Sequence, residues 1–489
     1  MKEKQTELLQ QAISLDTAGH AAKKEDYQKI GNLTEFGKML NPFGFLKGRQ
    51  KVYARIISED HPEIRENIQN EERREGFVVH ISLLTEEMLQ ADYEYFNYEE
   101  FANRTDRFLT EEARKNYKPY YYEFTGFVRK SQEREYGMFS ERVMDRWFTA
   151  WLNSDAVSEE GSYYIEGIVE FSASPFKERS GYFVWDKNCK TVTKEEQKKI
   201  DAWKLPDKDD QRLLKKVFLQ VFDNARNKFR VKVYNVGQAN CIYIRNRKHR
   251  IFFDVGIPKD SQNKSMDRKR PEVQRSMSDI QKSRPTMVIL SHWDMDHIKG
   301  AFLLKDEAFQ KYWITPQISS SSKPKKSADM KFAGSAERLA KYLSYNSRLL
   351  RVPNDKNGTE ICRGRKGILW KGDGVGRKIT KNNNYGLLLE LDDTGSGKRA
   401  LFSGDCEYES WPVGLLNKKI EKLIVPHHGS EMKTDKLKNI APGYGEAIIS
   451  VGEDGKGYKH PNGDHIQELK NVNYTVKQTL YDKVKNFSI

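Results

Sequence analysis

The residues best suited to chemistry lie in the stretch SHWDMDHIKG, from Ser291 to Gly300, in a chain of 489 residues. This stretch holds two imidazoles and two carboxylates, which are common ligands of divalent metals: His292, Asp294, Asp296 and His297. The four residues are too close in sequence to share one helix face, but alternate residues of a tight loop can point into one cavity. The alternative is a polar turn in which the aspartates cap a helix.

Further candidate ligands follow strand-like segments later in the chain. Asp405 comes directly after ALFSG, and paired histidines follow other such segments: His427 with His428, and His460 with His465. Because ligand sites in α/β layers form where strands end, we expect these side chains to converge with the first cluster. Two divalent metals need such a set plus a bridging carboxylate, and Asp405 suits the bridge. This order of residues favours a metal centre over a polar turn.

Short motifs recur in a fixed order through the second half of the chain. They are NVGQANC (235–241), FFDVG (252–256), SHWDMDHIKG (291–300), NNYGLLL (383–389), SGD (403–405), PHHGS (426–430) and YKHPN (458–462). This set resembles the metallo-β-lactamase fold superfamily, and most closely the ComEC-type hydrolase domains of DNA-uptake competence proteins. The resemblance covers residues 229–489 and implies a metallo-β-lactamase-like α/β fold, an αββα sandwich with a two-metal site.

The chain departs from the family's motifs at positions that are not expected to bind metal. Asn235 and Asn240 stand where the family has aspartate, and Gly386 stands where it has serine. Lys299 replaces the first of two glycines that follow the metal loop, and the sequence offers no role for it. We therefore expect a competent site.

The resemblance implies a role for each motif position. The implied metal ligands are His292 and Asp294 for the first metal, Asp296, His297 and His460 for the second, Asp405 as the bridge, and His427 as a first-metal ligand or phosphate contact. Asp296, His297 and Asp405 form the implied catalytic set. Residues expected to orient a ligand or contact the substrate are Asp254, Asn383, Asn384, His428 and Ser430. We interpret His465 as a surface histidine.

The ligand types bear on the choice of metal. Asp294 is a carboxylate where many superfamily members have histidine, which favours Mn²⁺ or Mg²⁺ and leaves Zn²⁺ open. We expect two divalent ions that activate a water for attack on phosphorus or on a carbonyl carbon. Such a reaction needs no serine or cysteine nucleophile.

The charge balance suggests a polyanionic partner. The formal net charge is +14, although lysine-rich proteins without a nucleic-acid partner also reach such values. Two long insertions, 260–276 and 362–378, are basic; they are either solvated loops or a phosphate-contacting flap beside the metals. The candidate nucleic-acid contacts in them are Arg268, Lys269, Arg270, Arg363, Arg365 and Lys366.

The rest of the chain must position this site. Residues 1–190 contain strand-like runs rich in β-branched and aromatic residues, with a predicted helix at 140–152, and indicate a separate α+β domain of unknown role. Its aromatic side chains favour a strand core over base stacking. Residues 191–228 form a predicted helical connector, in which Thr193 and Glu196 have capping-box spacing. Residues 229–489 form the predicted hydrolase domain.

Function follows from site and charge together. We expect a metal-dependent phosphodiesterase or nuclease, with DNA favoured over RNA, acting in nucleic-acid processing or antiviral defence. The alternatives are hydrolysis of a small substrate, such as a cyclic nucleotide, ester or amide, and a non-catalytic nucleic-acid- or protein-binding module. Since the sequence shows no membrane span, signal peptide or disulfide framework, we expect a cytoplasmic protein. Residues 1–190 could bind a protein partner, and the oligomeric state stays open.

Overall fold

The computed structural model describes most of the chain beyond residue 48. The described residues are 49–56, 76–102, 104–129, 146–154, 162–172, 174–186, 190–206, 210–224, 228–258, 270–317, 334–376, 381–393, 397–452, 460–481 and 485–489. Arg268 and Lys269 therefore lie outside the described residues.

The first part of the chain folds into a closed antiparallel barrel, with the strand order β1-β2-β3-β5-β6-β4. The strands are β1 (Arg49–Ile56), β2 (Gly76–Thr85), β3 (Tyr122–Arg129), β4 (Phe148–Asn153), β5 (Ser162–Phe171) and β6 (Ser174–Asp186). Three helices lie between β2 and β3: α1 (Glu86–Phe96), α2 (Tyr98–Phe101) and α3 (Glu111–Lys115). Where the sequence predicted an α+β domain, the structure has a closed barrel with a helical insertion.

The helix predicted at 140–152 is wrong over its described end. Phe148, Ala150 and Leu152 are buried at every second position of FTAWLN, which is the period of a strand. This strand, β4, pairs with β1 on one side and with β6 on the other, so it closes the barrel. Tertiary pairing therefore overrides the local sequence preference.

The helical connector contains both predicted helices. Helix α4 (Lys194–Ile200) begins at Thr193 with the reciprocal hydrogen bonds of a capping box to Glu196. Helix α5 (Gln211–Phe222) begins at Asp210, whose carboxylate accepts from two backbone amides of the first turn. Its buried face consists of five apolar residues, Leu214, Val217, Phe218, Val221 and Phe222.

Two seven-stranded sheets build the second part. The first, in the order β12-β11-β10-β9-β8-β7-β20, contains β7 (Arg230–Val233), β8 (Cys241–Arg245), β9 (Arg250–Val255), β10 (Met287–Ile289), β11 (Tyr312–Pro316), β12 (Leu349–Val352) and β20 (Lys485–Ser488). The second, in the order β13 to β19, contains β13 (Glu360–Arg363), β14 (Gly367–Lys371), β15 (Leu387–Asp393), β16 (Lys398–Phe402), β17 (Lys422–Ile424), β18 (Gly445–Ile449) and β19 (Tyr474–Gln478).

Helices cover the outer faces of the two sheets. Their bounds are α6 (Pro271–Lys282), α7 (Met295–Ile298), α8 (Asp306–Phe309), α9 (Gly334–Tyr345), α10 (Lys381–Asn384), α11 (Val413–Leu416), α12 (Leu437–Ile440) and α13 (Gly463–Asn471). The inner faces share one apolar core, in which Phe253 of the first sheet meets Phe402 of the second. These layers form the expected αββα sandwich.

The barrel packs on the helical layer that covers the first sheet. A single buried cluster runs from barrel strands through Tyr120 and Tyr121 to Phe302, and on to helix α9. Arg338 on that helix forms a bidentate pair with Asp92 on α1, with both side chains buried. The boundaries predicted between the three domains remain predictions, but the first and third predicted domains share a core.

Among the described residues, no helix combines the length and apolar character that crossing a bilayer requires. Cys241, Cys362 and Cys406 are buried free thiols, whereas Cys189 lies outside the described residues.

Candidate metal centre

The candidate ligands lie at one end of the sandwich. The loop Ser291–Asp294 leaves strand β10, Asp405 follows β16, and the two adjacent histidines follow β17. The two sheets meet at this end, where the Leu387 amide donates to the Ser291 carbonyl at 2.8 Å. Asp294 stands at the N-cap of α7, but its side chain makes no capping hydrogen bond, and its Oδ2 lies 3.3 Å from His292 Nε2. The side chain of Asp294 therefore does not cap the helix, which was the alternative role considered for it.

Unusual backbone conformations bring the loops together. Gly256 lies so close to the Asp296 carbonyl that a Cβ atom would come within 1.7 Å of that oxygen. Asp254, His427 and His428 have φ values of 58°, 48° and 52°, a region that side chains other than glycine seldom adopt. Non-glycine residues persist in this region where the surrounding structure holds them, and such positions concentrate at functional sites.

One group of ligands surrounds the Oδ1 atom of Asp405. His297 Nε2 lies 3.1 Å and His428 Nε2 3.9 Å from that oxygen. Asp296 Oδ2 lies 3.1 Å from His428 Nε2 and 3.6 Å from His297 Nε2. Ligand atoms of these four residues all lie within 4.8 Å of one another, a spacing that suits a single ion.

A second group faces the other oxygen of Asp405. His292 Nε2 and His427 Nε2 each lie 3.9 Å from Asp405 Oδ2. Asp294 joins this group through its contact with His292. Asp405 thus presents one carboxylate oxygen to each group, which is the placement that a bridging ligand requires.

Hydrogen bonds fix the orientation of three of the histidine rings. Asp254 Oδ2 contacts His297 Nδ1 at 2.8 Å, Ser291 Oγ contacts His292 Nδ1 at 2.9 Å, and the Ser450 carbonyl contacts His428 Nδ1 at 2.7 Å. Asp254 also accepts from the Ser291 amide at 2.6 Å. Each Nδ1 is therefore occupied, and each Nε2 points toward the carboxylates, as in metal sites with oriented ligands. Asp254 therefore contacts a candidate ligand, and its predicted role of orienting that ligand stays a prediction.

The site fits positive charge at its centre. The Nε2 atoms of His292 and His297 are buried and make no hydrogen bond of good geometry to any described residue. Burial lowers the pKa of His297, but Asp405, Asp296 and Asp254 outweigh it and hold the pKa well above its usual range. Burial likewise raises the pKa of Asp405, but His297, His427 and His428 hold it well below its usual range. Unfilled imidazole nitrogens among carboxylates suit divalent ions.

The structure places His428, rather than His460, in the group around Asp405 Oδ1. His428, predicted to orient a ligand or contact the substrate, belongs to the group around Asp405 Oδ1. His460, predicted as a ligand of that group, lies beside His427 and His428, with ring centroids 5.5 and 6.5 Å away. The left-handed backbone at both adjacent histidines turns the pair into the site, a conformation that the sequence does not reveal.

His465 is buried, so the expectation of a surface histidine is wrong. Its Nε2 contacts the Tyr408 hydroxyl at 3.0 Å and its Nδ1 contacts the Ser430 carbonyl at 2.9 Å. Burial is the main cause of the lowered pKa of this imidazole. His465 lies on the buried face of α13, which begins after Asn462. Asn462 is a helix-capping residue type, and this sequence signal could have indicated that His465 lies in a helix.

The asparagines and serine assigned to substrate or ligand orientation have different surroundings. Asn384 binds the segment after the bridge, since its Oδ1 accepts from the Glu407 amide at 2.8 Å. Asn383 Oδ1 and Ser430 Oγ are buried and have no hydrogen-bond partner among the described residues. Asn384 thus supports the loop that carries Asp405, and the other two keep polar atoms for a further contact.

The basic hairpin does not lie beside the metal centre. Its turn follows β13 and precedes β14, and Gly367 pairs with Leu391, at the end of the sheet opposite Asp405. Lys366 is buried, and Arg363 forms a bidentate pair with Glu360. We therefore no longer expect Arg363, Arg365 or Lys366 to contact a substrate at the metals. Arg270 donates to the Leu480 carbonyl at 2.9 Å.

Lys299 joins the metal loop to the barrel. Its buried ammonium lies 2.6 Å from Glu170 Oε2 on β5 and 3.2 Å from Glu123 Oε2 on β3. These two glutamates stand directly opposite each other in the barrel, so without a cation they would repel. The residue without a sequence-based role is a tether between the two parts, which the sequence could not show because both partners lie in the barrel.

A comparison with family models agrees with the metallo-β-lactamase-like fold. Residues 234–453 match the family model described as the metallo-beta-lactamase superfamily. A search of curated proteins finds no significant match.

Two solved structures are among those that are similar. One is a diphosphatase from the PhnP family, with 8% identity and a TM-score of 0.29, covering 54% of this chain and 97% of that one. The other is CmlA, a diiron beta-hydroxylase from Streptomyces venezuelae, with 10% identity and a TM-score of 0.31, covering 82% of both chains. Likenesses with TM-scores this low say nothing about the activity of this chain.

Proposed function

We propose that this chain, whose residues 234–453 form a metallo-beta-lactamase superfamily domain, is a two-metal phosphodiesterase that cuts nucleic acid, with DNA the favoured substrate. The observation that carries the proposal is Asp405, which presents one oxygen to each of two histidine-aspartate groups. A single structural ion would need only one of these groups. The ComEC-type resemblance of the motifs supports the same reaction class.

The ligand sets follow from the geometry. Asp296, His297 and His428 would hold one ion, His292, Asp294 and His427 the other, and Asp405 would bridge them. Held there, divalent ions supply Lewis-acid chemistry, acidifying a water and stabilising charge on the substrate oxygens. Besides the bridging Asp405, each ligand set contains one carboxylate, Asp294 or Asp296. Carboxylate ligands favour a hard ion such as Mn²⁺ or Mg²⁺, with Zn²⁺ as the alternative.

The protein's own residues prepare this chemistry. Asp254, Ser291 and the Ser450 carbonyl fix the three oriented histidines before any substrate arrives, so ligand reorganisation is small. The three carboxylates of the donor set carry three negative charges against the four positive charges that two divalent ions would bring, so the ligands alone would not neutralise the ions. Asn383 Oδ1 and Ser430 Oγ remain for substrate contacts.

The overall charge favours a polymer over a small phosphodiester. A formal net charge of +14 attracts a polyanion from a distance. A cyclic nucleotide carries far fewer negative charges and is attracted much less. Roles in nucleic-acid processing or antiviral defence, and recruitment of a partner by the barrel, remain predictions.

The test compares substrates and metals on the purified full chain. Linear and single-stranded DNA, RNA and a cyclic nucleotide are each incubated with Mn²⁺, Mg²⁺ or Zn²⁺. We expect cleavage of DNA with at least one metal. Hydrolysis of only the small substrate, or of none, contradicts the nuclease proposal.

Asp405→Asn is the first predicted variant. It should abolish turnover and lower the bound metal below two ions per chain, because an amide cannot bridge two cations. The matched control is Asp464→Asn, an exposed carboxylate in the first turn of α13, which should leave both unchanged. Full activity in Asp405→Asn would remove the bridge from the account.

A further inference from the structure

A second concentration of charge lies at the other end of the sandwich. A cavity of about 630 Å³ opens on the outer face of the first sheet, beside the end of α6 and strand β20. Its lining includes six cations and one carboxylate: Arg230, Lys232, Arg245, Arg250, Lys282 and Arg284, with Asp279. Lys232 is neutralised by Asp279 at 2.6 Å, which leaves five cations without a counter-charge in the lining.

Three of the arginines lie side by side on neighbouring strands. Arg230 pairs with Arg245 across β7 and β8, and Arg245 pairs with Arg250 across β8 and β9. Directly opposite residues share a face of the sheet, and like charges in that position destabilise it. All three are exposed, and they form no ion pair with any described residue. An anion lying across the row would relieve this repulsion.

The helix end adds to the row of arginines. Lys282 and Arg284 are exposed at the end of α6, and the Arg284 carbonyl accepts from Arg250 Nε at 2.8 Å, which holds the two segments together. Tyr234 and Tyr243 also line the cavity. Guanidinium groups bind phosphate oxygens in pairs and in a fixed plane, so this arrangement suits successive phosphates better than a single carboxylate.

The cavity is separate from the metal centre. Strand β9 runs from Arg250 at the cavity to Asp254 at the metal end, four residue steps or about 13 Å apart along the strand. A ligand confined to the metals cannot reach the arginine row, whereas an extended polymer can contact both.

We propose that this cavity binds the phosphate backbone of a nucleic-acid strand at a site separate from the metal centre. The inference goes beyond the proposed reaction, because binding here does not depend on which bond the metal centre cuts. The role of the cavity is to hold a strand on the protein while another part of the strand, or another molecule, lies at the metal centre.

The test measures binding without catalysis. Fluorescence anisotropy of a labelled single-stranded oligonucleotide is recorded against salt in EDTA, with the wild type, Arg245→Gln/Arg284→Gln and a control, Arg212→Gln/Lys470→Gln. The control removes two exposed cations outside the cavity lining. We expect the cavity variant to bind roughly tenfold more weakly and to lose about 1.4 from its logarithmic salt slope, at ~0.7 per phosphate contact. The control should match the wild type.

Several results would overturn this proposal. One is a cavity variant whose oligonucleotide affinity and salt slope are unchanged. Another is a control that loses as much affinity as the cavity variant. A third is ATP that competes for binding as effectively as unlabelled oligonucleotide. Binding to phosphatidylserine vesicles but not to oligonucleotide would assign the cavity to a lipid surface and contradict it as well. In the same assay, Asp405→Asn should bind the oligonucleotide as tightly as the wild type. The binding proposal can therefore hold even if the nuclease proposal fails.

Discussion

The two ends of the β-sandwich place their cations in opposite ways. At the metal end, Lys299 and Lys371 are buried, the first between two glutamates and the second against the Tyr385 carbonyl at 3.0 Å. At the opposite end, Arg245 and Arg284 are exposed and have no counter-charge among the described residues. Buried charges are expensive to leave unpaired and therefore fix structure, whereas exposed charges cost little and stay available for a ligand.

This difference explains why net charge alone misleads about the location of a binding site. The surplus of +14 suggests basic contacts beside the metals. The structure instead builds the candidate metal centre from carboxylates and histidines and concentrates exposed arginines at the far end. We propose that the basic end attracts a polyanion and that the end with carboxylates and histidines holds the ions that act on it.

The largest predicted effect on stability is that of Lys299→Met. Removing the ammonium leaves Glu123 and Glu170 buried and facing each other, and breaking such a buried pair should lower the free energy of unfolding by about 3–5 kcal/mol. Urea unfolding measures the change.

The matched change at the other end is Arg284→Met, which removes an exposed cation and should stay within about 0.5 kcal/mol of the wild type. If the two substitutions lowered the free energy of unfolding equally, the proposed difference between the buried and the exposed cations would be wrong. Recovery of Lys299→Met stability by adding Glu123→Gln and Glu170→Gln would confirm that repulsion between the two carboxylates causes the loss.

Lys371 gives a pH-dependent form of the same contrast. Burial lowers the pKa of its ammonium from 10.5 to about 7. The unfolded chain then binds one proton more than the folded chain between these values, so stability should rise with pH by about 1.4 kcal/mol per unit in that window. In Lys371→Met this contribution should be absent. Identical pH slopes for the two proteins, measured by urea unfolding between pH 7.5 and 9.5, would refute the lowered pKa.

Asp254→Asn should have a smaller effect, on metal affinity. The carboxylate contacts His297 Nδ1 but belongs to neither ligand group, so its loss should weaken metal binding by about 10–100-fold. Isothermal titration with Mn²⁺ measures this loss, and the stoichiometry should stay at two. A change in stoichiometry with unchanged affinity would instead make Asp254 a ligand.

The sequence predicts the sandwich through the resemblance of its motifs, and it groups the candidate metal ligands because each follows a strand-like segment. Each ligand follows a strand, and strand ends converge in α/β layers, so His292, Asp294, Asp296 and His297 could be grouped with Asp405 from order alone. Distinguishing His428 from His460 required the left-handed backbone at 427 and 428, which no spacing reveals.

Features that depend on distant partners could not be predicted. The role of Lys299 requires Glu123 and Glu170, which lie more than a hundred residues earlier, in a barrel whose closure depends on β4. The arginine row requires the register of β7, β8 and β9, although its members were visible as basic residues in FRVKVY and RNRKHR. Charge is evident from composition, but its placement is set by pairing.

The central claim is that Asp405 bridges two ions. The most direct measurement is a crystal structure of the wild type grown with Mn²⁺, with anomalous scattering recorded at the manganese edge. We predict two peaks on either side of Asp405, about 3.5–4 Å apart, one beside His297 and His428 and the other beside His292 and His427. A single peak at saturating Mn²⁺, or two peaks that Asp405 does not join, would contradict the account.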